Sequence, residues 1–171
     1  GEKDRLKSYD GRLCQVLPSY SERATTYLVV VYEDKRSLAL LQKYWPQGKV
    51  VREFYDREGG SHAVAYRVPP GSVMVVKPQH PLAVNLDNKV RLLGYDLKAE
   101  SYKPGQVIGL TLYWQALTTM EKDYTVFTHL LGAYNPLTNG PLWGGYDSRP
   151  GGGTYPTTVW GAGEIVIDEY R

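Results

Sequence analysis

Lys89 to Leu131, KVRLLGYDLKAESYKPGQVIGLTLYWQALTTMEKDYTVFTHLL, contains three β-rich runs separated by turn chemistry. In the first run Arg91, Leu93, Tyr95 and Leu97 alternate with Val90, Leu92, Gly94 and Asp96. That period of two sends successive side chains to opposite faces of a strand. In the second, Ile108, Leu110, Leu112 and Trp114 form an apolar face, and Thr111, Tyr113 and Gln115 a more polar one. Between them Lys103-Pro104-Gly105 provides the pre-set φ and the positive φ that a type II turn requires. The third run, Tyr124 to Leu131, is apolar or aromatic on both faces, the pattern of an inner strand. The expectation is a β-meander opening an antiparallel sandwich of jelly-roll or carbohydrate-binding-module type, with Leu93, Leu110, Leu112, Trp114, Val126 and Ile165 in its core.

Upstream, Tyr27 to Tyr32 (YLVVVY) is a short β-branched run that reads as a buried strand. Asp34 can cap a helix in which Leu38, Leu41 and Trp45 recur at helical spacing, and Pro46 and Gly48 stop it. Strands are expected over Lys49 to Tyr55 and His62 to Val68, joined by the polar Asp56 to Ser61 turn, and a short one over Ser72 to Val76. The lead GEKDRLK, the mixed stretch near Leu13 to Leu17 and a turn at Pro18 to Ser21 suggest only a short helix or irregular cover. Residues 1–77 are thus a small β-α-β-β unit and 78–171 a β-sandwich domain, an α+β chain overall. The prolines at 69, 70, 78 and 81 bracket the boundary. About seven strands are needed for two sheets to cover each other, and only about five or six candidates follow Leu82, so either the first unit supplies the missing cover or the sandwich is incomplete at its C-terminus and continues past Arg171. The chain begins with Gly and reads as a piece of a longer protein.

Composition narrows the function. The 20 basic and 18 acidic residues nearly cancel, which argues against a nucleic-acid partner. No run reaches the ~20 apolar residues of a membrane span. A single cysteine, Cys14, leaves no disulfide framework and reads as a buried, unreactive thiol. His62, His80 and His129 are scattered, with no metal-ligand spacing, so neither metal nor cofactor is expected. His129, in an aromatic strand, reads as a hydrogen-bonded structural histidine. Gly151-Gly152-Gly153 lacks the lysine of a phosphate loop and reads as a turn.

The aromatic usage is unusual: 15 Tyr and 4 Trp against 2 Phe give most rings a polar handle. Several of these fall in the Gly- and Pro-rich stretch from Gly132 to Gly163, which reads as long loops around short strands. Sugar rings stack their C–H faces on Trp and Tyr while their hydroxyls bond to Asp and Arg. Trp143, Tyr146, Asp147, Arg149, Tyr155 and Trp160 are therefore the candidate carbohydrate-binding residues, with closure of one end of the sandwich as the competing role for the rings. Asp147, Glu164, Asp168 and Glu169 are the clustered acids nearby and are expected to be mostly solvated at the surface. No residue is assigned a catalytic role.

RLLGYDL (Arg91 to Leu97), LTLYWQAL (Leu110 to Leu117), MEKDYTVFTHLL (Met120 to Leu131) and YPTTVWGAGEIVIDEY (Tyr155 to Tyr170) together resemble a β-sandwich at the C-terminal, extracytoplasmic end of bacterial polytopic membrane glycosyltransferases of the protein-mannosyltransferase type. Tyr27 to Pro69 is similar to the segment that follows the last membrane helix in those proteins. The resemblance implies a non-catalytic accessory region outside the cytoplasmic membrane, attached to the membrane-embedded part of the same polypeptide and positioned to hold a glycan or acceptor. It carries no catalytic residue onto this chain, because sugar transfer in that family takes place in the membrane part and its first luminal loop. Two other classes stay open: a cell-surface protein-interaction module, which would expose a sheet edge or apolar patch, and a glycoside hydrolase-like enzyme, which would need paired carboxylates ~5 to 10 Å apart in a groove.

Overall fold

A computed structural model describes residues 6–19 and 23–170. The charged lead before Leu6, the Tyr20-Ser21 end of the expected turn, and Arg171 lie outside the described residues. The chain is mostly antiparallel β-sheet with one short helix. In order the elements are β1 (Cys14–Leu17), β2 (Thr25–Val29), α1 (Ser37–Tyr44), β3 (Lys49–Tyr55), β4 (Ser61–Val68), β5 (His80–Leu86), β6 (Val90–Leu97), β7 (Leu110–Ala116), β8 (Val126–Asn135), β9 (Gly140–Ser148) and β10 (Ile165–Tyr170). Two short 3-10 turns, Pro150–Gly153 and Thr157–Val159, lie between β9 and β10.

The strands form a five-stranded sheet in the order β1-β10-β7-β6-β5, a three-stranded sheet β2-β4-β3, and a two-stranded ribbon β8-β9. The turn chemistry holds locally. Gly105 has φ +83° and the Gln106 N–H reaches the Lys103 carbonyl at 3.1 Å, closing the turn between β6 and β7. Asp34 accepts the backbone N–H groups of Arg36 and Ser37 at the start of α1. Gly94 marks an irregular step between β6 and β7, where a Cβ would come 2.4 Å from the His80 carbonyl oxygen.

The five-stranded sheet is covered on both faces at β7 and β10 and exposed along β5, and the alternation along β7 and β10 sorts their side chains between two cores. Tyr113, Ile165 and Ile167 join Leu17 in packing against Leu41, Tyr44 and Trp45 of the helical region and Val64 and Tyr66 of β4. Leu112, Trp114, Ala116, Val166 and Tyr170 turn the other way, onto Met120, Tyr155 and Trp160. The six residues expected to share one core are therefore divided: Leu93 and Ile165 face α1, whereas Leu110, Leu112, Trp114 and Val126 face the loop after β9. Tyr113 Oη donates to Asp96 at 2.6 Å and lies 3.4 Å from Tyr44 Oη, linking the two units by hydrogen bonds as well as packing.

Three expectations need correction. Residues 14–17 are neither helix nor irregular cover but a strand on the edge of β10, so part of the span assigned to the first unit belongs to the sheet of the second. Ser72 to Val76 pairs with no sheet among the described residues; its Val75 N–H is taken instead by the Tyr44 carbonyl at the end of α1. Finally, β8 is not an inner strand of the meander. The neighbour of β7 on that side is β10, in register from Ile165 opposite Gln115 to Tyr170 opposite Leu110. Having lost that place, β8 pairs among the described residues only with β9.

Candidate functional site

Two structures are built from the Gly132 to Gly163 region and its neighbours, and they divide the six candidate residues. The first is a buried cover. After β9 the chain crosses the sheet through Pro150–Gly153 and Thr157–Val159, placing Tyr155 and Trp160 in the core at 1% and 2% exposure. The Trp160 indole donates to the Tyr155 carbonyl at 3.0 Å. Of the two roles the sequence leaves open for these rings, a binding surface or closure of the sandwich, these two take the second and close the open face of the sheet.

That cover is fastened by two buried carboxylates, which corrects the expectation that Glu164 and Asp168 are solvated. Glu164 accepts from Lys7 Nζ at 2.8 Å, from Tyr155 Oη at 2.9 Å and from the Gly161 N–H at 2.9 Å. Asp168 accepts the Gly151 N–H at 2.9 Å and the Tyr170 hydroxyl. Gly151 takes φ +61°, and a Cβ there would meet Cys14 Sγ at 2.8 Å, so only glycine fits this close approach. Burial pushes the Asp168 carboxyl up to about 6, against the opposing pull of its hydrogen bonds. It also pushes the Cys14 thiol up to about 12, which keeps the thiol protonated and inert.

The second structure is the β8–β9 ribbon. Its root is tied to the cover: the Tyr124 N–H donates to Thr157 Oγ1 at 3.0 Å, the Thr157 N–H to Asp123 at 3.2 Å, and Val126 packs on the loop-side core. Beyond that root the ribbon runs into solvent. Its tip is a turn in which buried Asn135 accepts the Leu137 N–H and donates to the Leu142 carbonyl, with Asn139 at φ +50°.

Apolar side chains on the ribbon are exposed: Phe127 by 67%, Leu131 by 62%, Tyr134 by 65% and Trp143 by 54%. The Trp143 indole N–H donates to the Ala133 carbonyl at 2.7 Å, and the ring lies over Gly132, which leaves its outer surface open on a fixed backbone. His129 Nε2 and Asp147 Oδ1 are 2.9 Å apart, with Phe127 edge-on to the imidazole. The structural, hydrogen-bonded role expected for His129 is thus met by a pair that lies at the surface. Tyr146 is half-exposed and rests its ring edge on Tyr170, and Arg149 pairs with Asp123 at 3.1 Å.

Of the six candidates, then, Trp143, Asp147, Tyr146 and Arg149 are on or beside the ribbon, and Tyr155 and Trp160 are beneath the cover. Phe127, His129, Leu130, Leu131 and Tyr134 share the exposed surface and were not among them. The continuous apolar character of Tyr124 to Leu131 was the available signal, and it had been read as burial. Among the described residues no three His, Cys, Asp or Glu side chains gather as a metal site requires, and no helix is long and apolar enough to cross a membrane. No family model, no curated protein and no solved structure matches this chain.

Proposed function

We propose that this chain is a non-catalytic accessory region of a membrane glycosyltransferase, working on the extracytoplasmic side of the membrane, and that the β8–β9 ribbon meets the glycan or acceptor there. The accessory role rests on the resemblance of residues 27–69, 91–97, 110–117, 120–131 and 155–170. One observation carries the binding role: an open Trp143 ring on a hydrogen-bonded strand, with the His129–Asp147 pair on the same ribbon to meet hydroxyl groups. In this reading the ribbon is the beginning of the second sheet of a jelly-roll-like sandwich, with the five-stranded sheet as the first.

One stacked sugar contributes only a few kcal/mol, so affinity near millimolar is expected, for which ~4 kcal/mol suffices. Titrating mannose-containing oligosaccharides while following the Trp143 indole resonance should shift it saturably, and Trp143→Ala should abolish binding with the fold retained. Absence of any shift, or binding unchanged by that substitution, would remove the ribbon from the glycan site. A second reading, a cell-surface protein-interaction module, is favoured by the bare backbone edge of β8. Of the acids the hydrolase reading would draw on, Glu164 and Asp168 lie buried under the cover.

A further inference from the structure

We infer that the free edge of β8 pairs antiparallel with β8 of a second copy of this chain, joining the two ribbons into one sheet about a two-fold axis. Among the described residues six strands present an open edge: β1 and β5, β2 and β3, β8 and β9. A row of unpaired N–H and C=O groups invites another strand, and proteins discourage this with short strands, charges, prolines and bulges.

Five of the six edges are defended in such ways. β1 has four residues and β2 five. β3 carries Lys49, Arg52 and Glu53 and two register breaks. β5 contains Pro81 and a register break beside it. β9 contains Pro141 and the glycines 140, 144 and 145, which cannot offer side chains to a partner. β8, VFTHLLGAYN, is ten residues long without proline, lysine, arginine, aspartate or glutamate. Its register with β9 is regular from Val126 to Leu130 and breaks on either side of Leu131, and among the described residues it is the longest edge strand free of proline and formal charge.

Charge and area favour a second copy as the occupant. Because the strand has no formal charge apart from what His129 can acquire, antiparallel pairing with itself sets no fixed like charges opposite each other. Asp147 lies on β9, away from the free edge, and the charges closest to β8 along the chain, Glu121, Lys122 and Asp123, all precede the strand. Antiparallel pairing lays them beside the second copy's uncharged Asn135 to Asn139 turn, whereas parallel pairing would stack each on its own equivalent. Phe127, Leu130, Leu131, Tyr134 and Trp143 are each half or more exposed. Trp143 stands on β9, and the four on β8, with about half to two-thirds of each side chain still exposed out of the ~150–250 Å² of a whole aromatic one, supply with the strand backbone a few hundred Å² per partner, the low end of interface sizes, where association is weak.

Sedimentation of the full chain from micromolar to near-millimolar concentration should reveal a monomer–dimer equilibrium. Leu131→Lys, at an exposed position, should weaken it by about tenfold or more while leaving the circular dichroism and melting curve in place. Amide exchange of the unsubstituted chain should slow along β8 as concentration rises and stay unchanged along β7, a readout that holds even if the lysine variant folds poorly. A monomer throughout the range, or self-association that leaves β8 amides unprotected, would overturn the proposal. Because Leu131→Lys leaves Trp143 intact, failure here is distinguishable from failure of the glycan reading.

Discussion

β7 and β8 are both rich in apolar residues and have opposite fates. LTLYWQA lies in the middle of a sheet with a core on each face, while VFTHLLGAYN, just as apolar, lies in a two-stranded ribbon with most of its side chains in water. The difference comes from what lands on each strand. α1 and β4 settle on one side of β7 and the loop carrying Tyr155 and Trp160 on the other, while nothing among the described residues covers β8 beyond Val126. Apolar content therefore marks where burial is favourable, and topology decides where it happens.

The largest effect that can break this contrast is a pair of tryptophan truncations. Trp160→Ala should cost ~3 to 5 kcal/mol in denaturant unfolding, because it opens a cavity beneath the cover. Trp143→Ala removes a ring already half in water and should cost less than ~1 kcal/mol. Equal costs would mean that the ribbon is packed as tightly as the sheet.

A smaller effect comes from the carboxylate that holds the cover down. The folded-state Asp168 titrates at about 6 rather than 3.8, so the native chain binds this proton more tightly than the unfolded chain does. Its contribution to stability is fully present below pH ~4 and falls as pH rises through ~6, by about 3 kcal/mol at most. Asp168→Asn can still accept the Gly151 N–H, and the difference between its stability–pH curve and that of the parent should show this decline. A difference curve that is flat between pH ~4 and ~7 would place Asp168 in a wetter setting than its 1% exposure indicates.

Much of the sheet was legible in the residues. β7 and β10 follow their alternation, and β6 does so up to the irregular step at Gly94, beyond which Tyr95 joins Val90 and Leu92 rather than Leu93. α1 sits between its capping Asp34 and Pro46, and the Lys103 to Gln106 and Asp56 to Gly60 turns close where Pro and Gly place them. Two strands were not. β1 is a four-residue CQVL with a central glutamine, too short for periodicity to register. β9, GPLWGGYDS, has the composition of a loop and becomes a strand because the Asn135 to Gly140 turn folds it back on β8. Of the site, the exposed Trp143 and Asp147 were legible by type. The burial of Tyr155, Trp160, Glu164 and Asp168 was not, since alternation tells which side chains share a face and says nothing of what will cover it. Lys7, from the far end of the chain, is what makes a buried Glu164 tolerable, and no local pattern links the two.

The contrast between sheet and ribbon can be read directly from solvent paramagnetic relaxation, using a soluble gadolinium chelate at a dilution where the chain is monomeric. Side-chain resonances of Phe127, Leu131, Tyr134 and Trp143 should broaden strongly, while those of Leu112, Trp114, Tyr155 and Trp160 should stay sharp. If Trp143 and Phe127 proved as protected as Trp160, the ribbon would be part of a core, and the surface on which both the glycan and the self-pairing proposals depend would not exist.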